Sequence, residues 1–249
     1  TPEVKKVEMN LTIDIGNTCT KLVAFDGASP VEEVRVDDNE WHKLSSFCQK
    51  YTFECGIYST VVNLSEEKIK QIKSLSFPVI QLLSGVTPVP VNNKYSTPHT
   101  LGADRLAAVV GAYSKQPGTN VLVIDVGTCI TYDFITSAGD YLGGNISPGP
   151  TIRLKSLNEF TDCLPLVKRK GDLPMMGIST ETAIRSGVMR GIKYEIEGYI
   201  REFSMRYPLL AVYITGGIHV DLDVADVNII RDNYIVPEGL NMILQYNMK

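Results

Sequence analysis

The chain of 249 residues has one tryptophan and three histidines, and its five cysteines form no Cys-x-x-Cys pair. Cysteine stands at positions 19, 48, 55, 129 and 163, an odd number that argues against a disulfide framework and a zinc site and for a reducing, cytoplasmic setting. His42, His99 and His219 lack the spacing of metal ligands and read as surface or hydrogen-bonded histidines. No apolar run approaches the ~20 residues that span a bilayer, so no membrane partner is expected. Residues 1–10 are charged and polar, without the apolar core of a secretory signal. Basic charge is also short. Lys and Arg number 24 against 28 Asp and Glu, and the resulting net charge of −4 argues against nucleic acid as a main partner. The remaining composition, 44% apolar and 21% charged, is that of an ordinary globular protein, and the length suits one large or two medium domains.

One pattern occurs twice. Asp14-Ile15-Gly16-Asn17-Thr18-Cys19-Thr20-Lys21 lies near the start, and Asp125-Val126-Gly127-Thr128-Cys129-Ile130-Thr131 lies 111 residues later. Each follows a short apolar run (11–13, 121–124) and precedes an alternating one (21–25, 130–135). Each therefore reads as strand, Gly/Thr turn, strand. Glycine lets backbone N–H groups line an anion, and Thr or Asn adds side-chain hydrogen bonds. An aspartate at the strand end can hold a hydrated metal beside the same phosphates. Two such turns half a chain apart predict a duplicated domain gripping a nucleotide.

The rest of the chain fits that duplication. In the first half the pattern predicts a strand over 31–36 and a helix capped by Asp38 or Asn39 with Trp41, Leu44, Phe47 and Cys48 as its stripe. A buried strand over 56–62, a helix opened by Ser65 and a strand over 78–83 follow. A loop over 87–98 precedes a buried helix over 101–113, and residues 115–120 read as a linker. The second half predicts two or three strands over 121–143, a Gly/Pro loop over 143–150 and a helix over 151–160 with Ile152, Leu154 and Leu157 as its apolar face. A flexible excursion over 163–176, a long helix over 180–207, a strand over 210–214 and a final helix over 238–246 complete it. The order predicts an α/β protein of two ribonuclease-H-like domains, 1–117 and 118–249, with the active site in the cleft between them.

At these residues the chain resembles the acetate/sugar kinase, Hsp70 and actin superfamily, and within it the type III pantothenate kinases. The resemblance rests on six motifs in order. They are Asp14-Ile15-Gly16-Asn17-Thr18; Gly102-Ala103-Asp104-Arg105; Asp125-Val126-Gly127-Thr128-Cys129-Ile130-Thr131; the Gly143-Gly144-Asn145-Ile146-Ser147-Pro148-Gly149 stretch; Ser179-Thr180-Glu181-Thr182-Ala183-Ile184-Arg185-Ser186-Gly187; and Thr215-Gly216-Gly217. The departures are Cys129, where the family usually has Ala, and Ser179, where Asn is common.

The resemblance implies transfer of the γ-phosphoryl group of ATP to the primary hydroxyl of pantothenate, the first step towards coenzyme A. Such chemistry needs in-line positioning and charge neutralisation. The first hairpin, 14–21, would cradle the β- and γ-phosphates, with Asp14 holding Mg²⁺, through water. The alternative for Asp14 is a solvated strand-end carboxylate, and Lys21 either touches phosphate or faces solvent. Asp104 would be the general base, because a carboxylate in reach of the acceptor hydroxyl can orient it and take its proton. A charged Asp104-Arg105 pair in so apolar a helix start needs a reason, since buried charge is costly; the alternative is a helix-capping Asp paired with Arg105. Arg105 would bind the pantothenate carboxylate or steady Asp104. Tyr95, Gly102 and Ala103 fall at or beside pantothenate-contact positions of the family, and Tyr95 could equally be a loop aromatic.

By the same resemblance Asp125 maps to the ligand of a monovalent cation, K⁺ or NH₄⁺, and Thr128 to a phosphate contact. Gly216 and Gly217 would approach the adenosine face, although a tight turn alone would also use them. Thr180 matches a residue that reaches pantothenate from the partner subunit of a homodimer. Cys19 and Cys129 carry no catalytic role. Two other readings remain: a sugar or acetate kinase of the same superfamily, opposed by the 102–105 and 143–149 motifs, and a regulatory protein on a degenerate kinase fold. A regulator should have lost one of Asp14, Asp104 or Asp125, and all three are present.

Overall fold

A hairpin opens the fold, as the alternation predicts. Strands β1 (Met9–Ile15) and β2 (Thr20–Asp26) pair antiparallel, with Asp14 opposite Lys21. The computed structural model describes residues 9–248, so the charged segment 1–8 lies outside the described residues. Strand β3 (Ser29–Val36) continues the meander. Helix α1 (Lys43–Lys50) follows, then β4 (Phe53–Thr60), which lies parallel to β1 on its other side. Helix α2 (Glu66–Lys73) leads to β5 (Val79–Gln81), parallel to β4. The sheet order is β3-β2-β1-β4-β5. Leu11, Ile13, Leu22 and Ala24 are fully buried, and Leu44, Phe47 and Ile72 of the two helices pack in the same core. Ser65 caps α2 as expected, its Oγ accepting from the Lys68 N–H. The expected cap at Asp38 or Asn39 is not one. Asp38–Glu40 form a single 3₁₀ turn, Trp41 buries its ring at the junction under the Lys68 ammonium, and α1 starts only at Lys43. A two-residue strand, β6 (Asn92–Asn93), lies within the expected loop, and α3 (Ala103–Lys115) is buried along most of its length.

The second hairpin repeats the first. Strands β7 (Val121–Val126) and β8 (Cys129–Ile135) pair antiparallel with Asp125 opposite Thr131. Strand β9 (Asp140–Pro148) starts beside β6 and runs on beside β8. This corrects the expected loop over 143–150. Glycine serves close approach there: a β-carbon on Gly144 would lie 1.8 Å from the Tyr132 carbonyl oxygen. Helix α4 (Pro150–Glu159) buries Leu154 but leaves Ile152 exposed, so its expected apolar face is only partly used. Helix α5 (Thr180–Arg206) buries Ile184, Val188, Ile192, Ile196 and Ile200 against β7, β8 and β10 (Ala211–Thr215). The five belong to the core of their own unit, whereas Ala183 on the same helix is exposed. A short edge strand, β11 (Asn228–Arg231), escaped sequence reading and lies parallel to β10, which is parallel to β7. The order β9-β8-β7-β10-β11 matches β3-β2-β1-β4-β5, with β7 antiparallel to β8 and parallel to β10 as β1 is to β2 and β4. The segment 163–176 has no regular structure but is strapped down. Arg185 donates to the Lys168 and Asp172 carbonyls, and Arg190 to those of Leu173 and Pro174.

The described residues form two compact units. Those up to Gly118, with Ala138–Leu142 and those from Tyr234 on, make the first; Thr119–Ser137 and Gly143–Asn233 make the second. The last helix, α6 (Ile235–Asn247), follows the second half in the chain but packs along α3 and on β1 and β4 in the first unit. Glycine makes this crossing close. A β-carbon on Gly111 would meet the Ile235 carbonyl oxygen at 2.1 Å. Asn241 fixes the register, accepting from Asn10 Nδ2 and donating to the Gly27 carbonyl. No helix among the described residues is long and apolar enough to cross a membrane.

Candidate functional site

In the first unit the turn after β1 is closed by the Gly16 N–H donating to the Cys19 carbonyl at 3.2 Å, which leaves Asn17 and Thr18 exposed at the tip. Asp14 stands one residue inside, half-buried, and its Oδ1 accepts from Ser59 Oγ of β4 at 3.0 Å. Burial pushes the Asp14 carboxyl above its ordinary value, against the opposing pull of Lys21 and Ser59. Sequence reasoning missed Ser59, whose only signal is its place at the end of a strand parallel to β1.

The second group forms at the start of α3. Gly102 is the N-cap, and a β-carbon there would lie 2.6 Å from Asp104 Oδ1, so the missing side chain makes room for that carboxylate. The same oxygen accepts the Arg105 N–H at 2.8 Å within the first turn, and Asp104 is not the N-cap. Arg105 is buried, at 6% exposure, and its guanidinium lies over the Tyr95 ring at 5.7 Å from the centroid. Tyr95 stacks on Tyr141 at 6.2 Å with rings 9° from parallel. Its loop is pinned to β9, with the Lys94 N–H on the Tyr141 carbonyl and the Tyr95 N–H on Asn93 Oδ1. Tyr95, Gly102, Asp104 and Arg105 are thus one cluster, with buried Ala103 packed into the unit's interior.

The second unit holds its own loop. The Gly127 N–H donates to the Cys129 carbonyl at 2.9 Å. Val126 pairs with Ile130, whereas Ile15 pairs with Thr20, so this loop is one residue shorter and Thr128 occupies the place of Thr18. Thr128 is exposed and Asp125 half-buried. Gly216 follows β10 at φ +98°, and a β-carbon there would sit 2.5 Å from both Asp125 Oδ1 and the Val126 carbonyl oxygen. Gly217 has nothing within 4 Å of that position, so its backbone faces open space. Gly149 lies on the loop itself, its N–H on the Thr128 carbonyl at 3.0 Å. Asp125, Thr128, Gly216 and Gly217 therefore surround one strand end. Thr180 stands exposed in the first turn of α5, inside the Ser179–Thr182 capping box.

Sequence reasoning also missed a polar network behind the Thr128 loop. Glu195 of α5 accepts from Tyr132 Oη at 2.7 Å and from Arg153 Nη2 at 2.5 Å. These bonds hold the Glu195 carboxyl below its usual range although its burial pulls the other way. All five cysteines are free thiols. Among the described residues no three His, Cys, Asp or Glu side chains cluster as a metal cage, so a metal here would keep water or substrate oxygens among its ligands.

A type III pantothenate kinase of Phocaeicola vulgatus is 51% identical over 242 residues, 97% of this chain and 100% of that protein. Among solved structures, a Baf family protein from Campylobacter jejuni superposes with a TM-score of 0.58 at 22% identity, covering 96% of this chain and 98% of that one. The ROK hexokinase of Thermus thermophilus gives 0.52 at 12% identity, covering 97% and 100%. At such identities the structures speak for the fold alone, the two-domain actin-like ATPase fold. The sequence profile of the type III pantothenate kinases matches residues 10–202, a span that holds both Gly/Thr turns and the cluster at the start of α3. With that match and the full-length likeness, the chain belongs to the type III pantothenate kinase family.

Proposed function

We propose that the protein phosphorylates pantothenate with ATP, giving 4′-phosphopantothenate and opening coenzyme A synthesis. The observation that carries this reading is the 51% identity over the full length of a named family member. The geometry supports a role for each group. In the first unit, backbone and hydroxyls from Ile15 through Lys21 bind phosphate oxygens. Asp14, oriented by Ser59, fits a hydrated Mg²⁺ at its carboxylate. Asp104 takes the proton of the acceptor hydroxyl, while Arg105 and Tyr95 bind the pantothenate carboxylate beside Gly102 and Ala103. In the second unit Thr128 binds phosphate, and Gly216 and Gly217 leave backbone space for adenosine. The Asp125 carboxylate lies close to the Val126 carbonyl oxygen at the Gly216 turn, and oxygen donors of this kind suit K⁺ or NH₄⁺. Bound cations would offset the negative charge gathered on the phosphates.

The active form we propose is a cytoplasmic homodimer in which Thr180 serves the partner's pantothenate site. Support comes from the exposed apolar side chains of Met175, Met176 and Ile178 just before Thr180, at 78%, 78% and 95% exposure. A two-fold contact would cover them on both subunits.

The test is ADP release with pantothenate against a panel of sugars and acetate, in K⁺, NH₄⁺ and Na⁺. Turnover with pantothenate and no other acceptor, lost in Na⁺, with both activity and the cation response lost after Asp125→Ala, is the expected result. Turnover of a sugar in preference to pantothenate would overturn the substrate, and equal rates in K⁺ and Na⁺ would overturn the role of Asp125.

A further inference from the structure

We propose that Arg153 and Glu195 are positioning residues that hold the Thr128 phosphate loop in place for ATP. The proposal rests on the kinase reading above. It starts from the contact between Gly149 and the loop. A β-carbon on Gly149 would lie 2.4 Å from the carbonyl oxygens of both Gly127 and Thr128, so the backbone at Gly149 is in direct contact with the loop. Gly149 sits between Pro148 and Pro150, whose rings fix their own φ and restrict the residues before them. The Pro-Gly-Pro segment is therefore a stiff lever, and a shift at its start is passed to the loop.

Arg153 holds the start of that lever. Its Nε donates to the Pro148 carbonyl and its Nη2 to Ser147 Oγ, both at 2.7 Å. Its own N–H donates to the Gly149 carbonyl at 3.1 Å. The guanidinium is aimed by Glu195 Oε2 at 2.5 Å. The other carboxylate oxygen takes the hydroxyl of Tyr132, on the strand that leaves the loop. Tyr132 stacks on Tyr199 at 4.0 Å, and Tyr199 accepts from Asn145 Nδ2 on β9. One carboxylate thus ties together the strand after the loop, the strand end that rests on it, and α5.

A half-buried ion pair of this kind is weak evidence for stability, since apolar replacements of similar volume serve as well or better. What apolar groups cannot replace is direction: the guanidinium fork fixes Ser147, Pro148 and Glu195 in one plane. Misplacing a phosphate contact by an ångström costs far more in rate than in folding.

The experiment uses the full chain with Arg153→Met, Arg153→Lys, Glu195→Gln and the double variant Arg153→Met/Glu195→Gln. ATP binding is measured by calorimetry without acceptor, and steady-state constants are measured for both substrates. Arg153→Met should raise the Kd for ATP about 10-fold and lower kcat/KM for ATP by roughly 10–100-fold, with the KM for pantothenate unchanged. Arg153→Lys keeps the charge but loses the fork and should not restore ATP binding. The double variant should be no worse than Arg153→Met, because the two residues act as one unit. Folded Arg153→Met with wild-type Kd and kcat for ATP would overturn the proposal, as would full rescue by lysine. If Arg153→Met does not fold, Arg153→Lys decides alone: weakened ATP binding supports the proposal and wild-type binding overturns it. A wild-type protein that binds ATP but ignores pantothenate would overturn the substrate reading instead, and the binding arm would still decide this one.

Discussion

A β-carbon added to Gly239 would lie 1.8 Å from the carbonyl oxygen of Ala107. This contact brings α6 onto α3, the helix whose first turn holds Asp104 and Arg105. Glycine inside a helix costs about 1 kcal/mol against alanine, so its place here depends on the crossing it permits. Gly239→Ala should therefore destabilise the protein, by about 2–4 kcal/mol, because the obstacle is the Ala107 backbone and cannot rotate away. Urea unfolding measures this, and a variant as stable as wild type would show that the helices can part at no cost.

Asp104→Asn is nearly isosteric and keeps an oxygen for the Arg105 N–H, so the fold should stand. Turnover should fall by roughly 10²–10⁴-fold, as expected for loss of a general base. A folded variant with near-wild-type turnover would refute the assignment.

Glu195 gives the protein a specific acid sensitivity. Its folded carboxyl titrates below the ordinary 4.5, so the network's contribution is complete above that value and is lost as pH falls through the lower folded one. Wild type should accordingly melt above Glu195→Gln at neutral pH, and the gap should close in acid. A gap that stays constant down to pH ~3, below the ordinary range of glutamate, would show that Glu195 gains nothing from Arg153 and Tyr132.

Much of this was legible in the sequence where local rules decide. Both hairpins follow from apolar alternation around a Gly/Thr turn, and Ser65 marks its helix by its hydroxyl. The α3 cluster was visible as two charges in an apolar run. Tertiary context decided the rest. Gly143 and Gly144 read as a turn because glycine signals both bends and close strand approach, and only the neighbouring Tyr132 carbonyl tells them apart. Strand β11 is four residues at a sheet edge, too short to show a period. Arg153 and Glu195 lie 42 residues apart and look like solvated helix charges until α4 and α5 are packed. The spacing of Ile184, Val188 and Ile192 was visible, but only the packed sheet shows that they join one core while Ala183 stays exposed.

The placement of α6 has a consequence for biosynthesis. A ribosome delivers the chain from its N-terminal end, so β1 to α3 emerge well before Ile235 does. Until then the face of α3 that carries Ala107 and Gly111 has no covering helix, and Asn10 has no Asn241 to meet. The residues from Thr119 to Asn233, save the short stretch Ala138–Leu142, belong to the second unit and are all synthesised first. The unit whose sequence begins first is thus the last to be completed. Its α3 face stays uncovered while the whole second unit is being made.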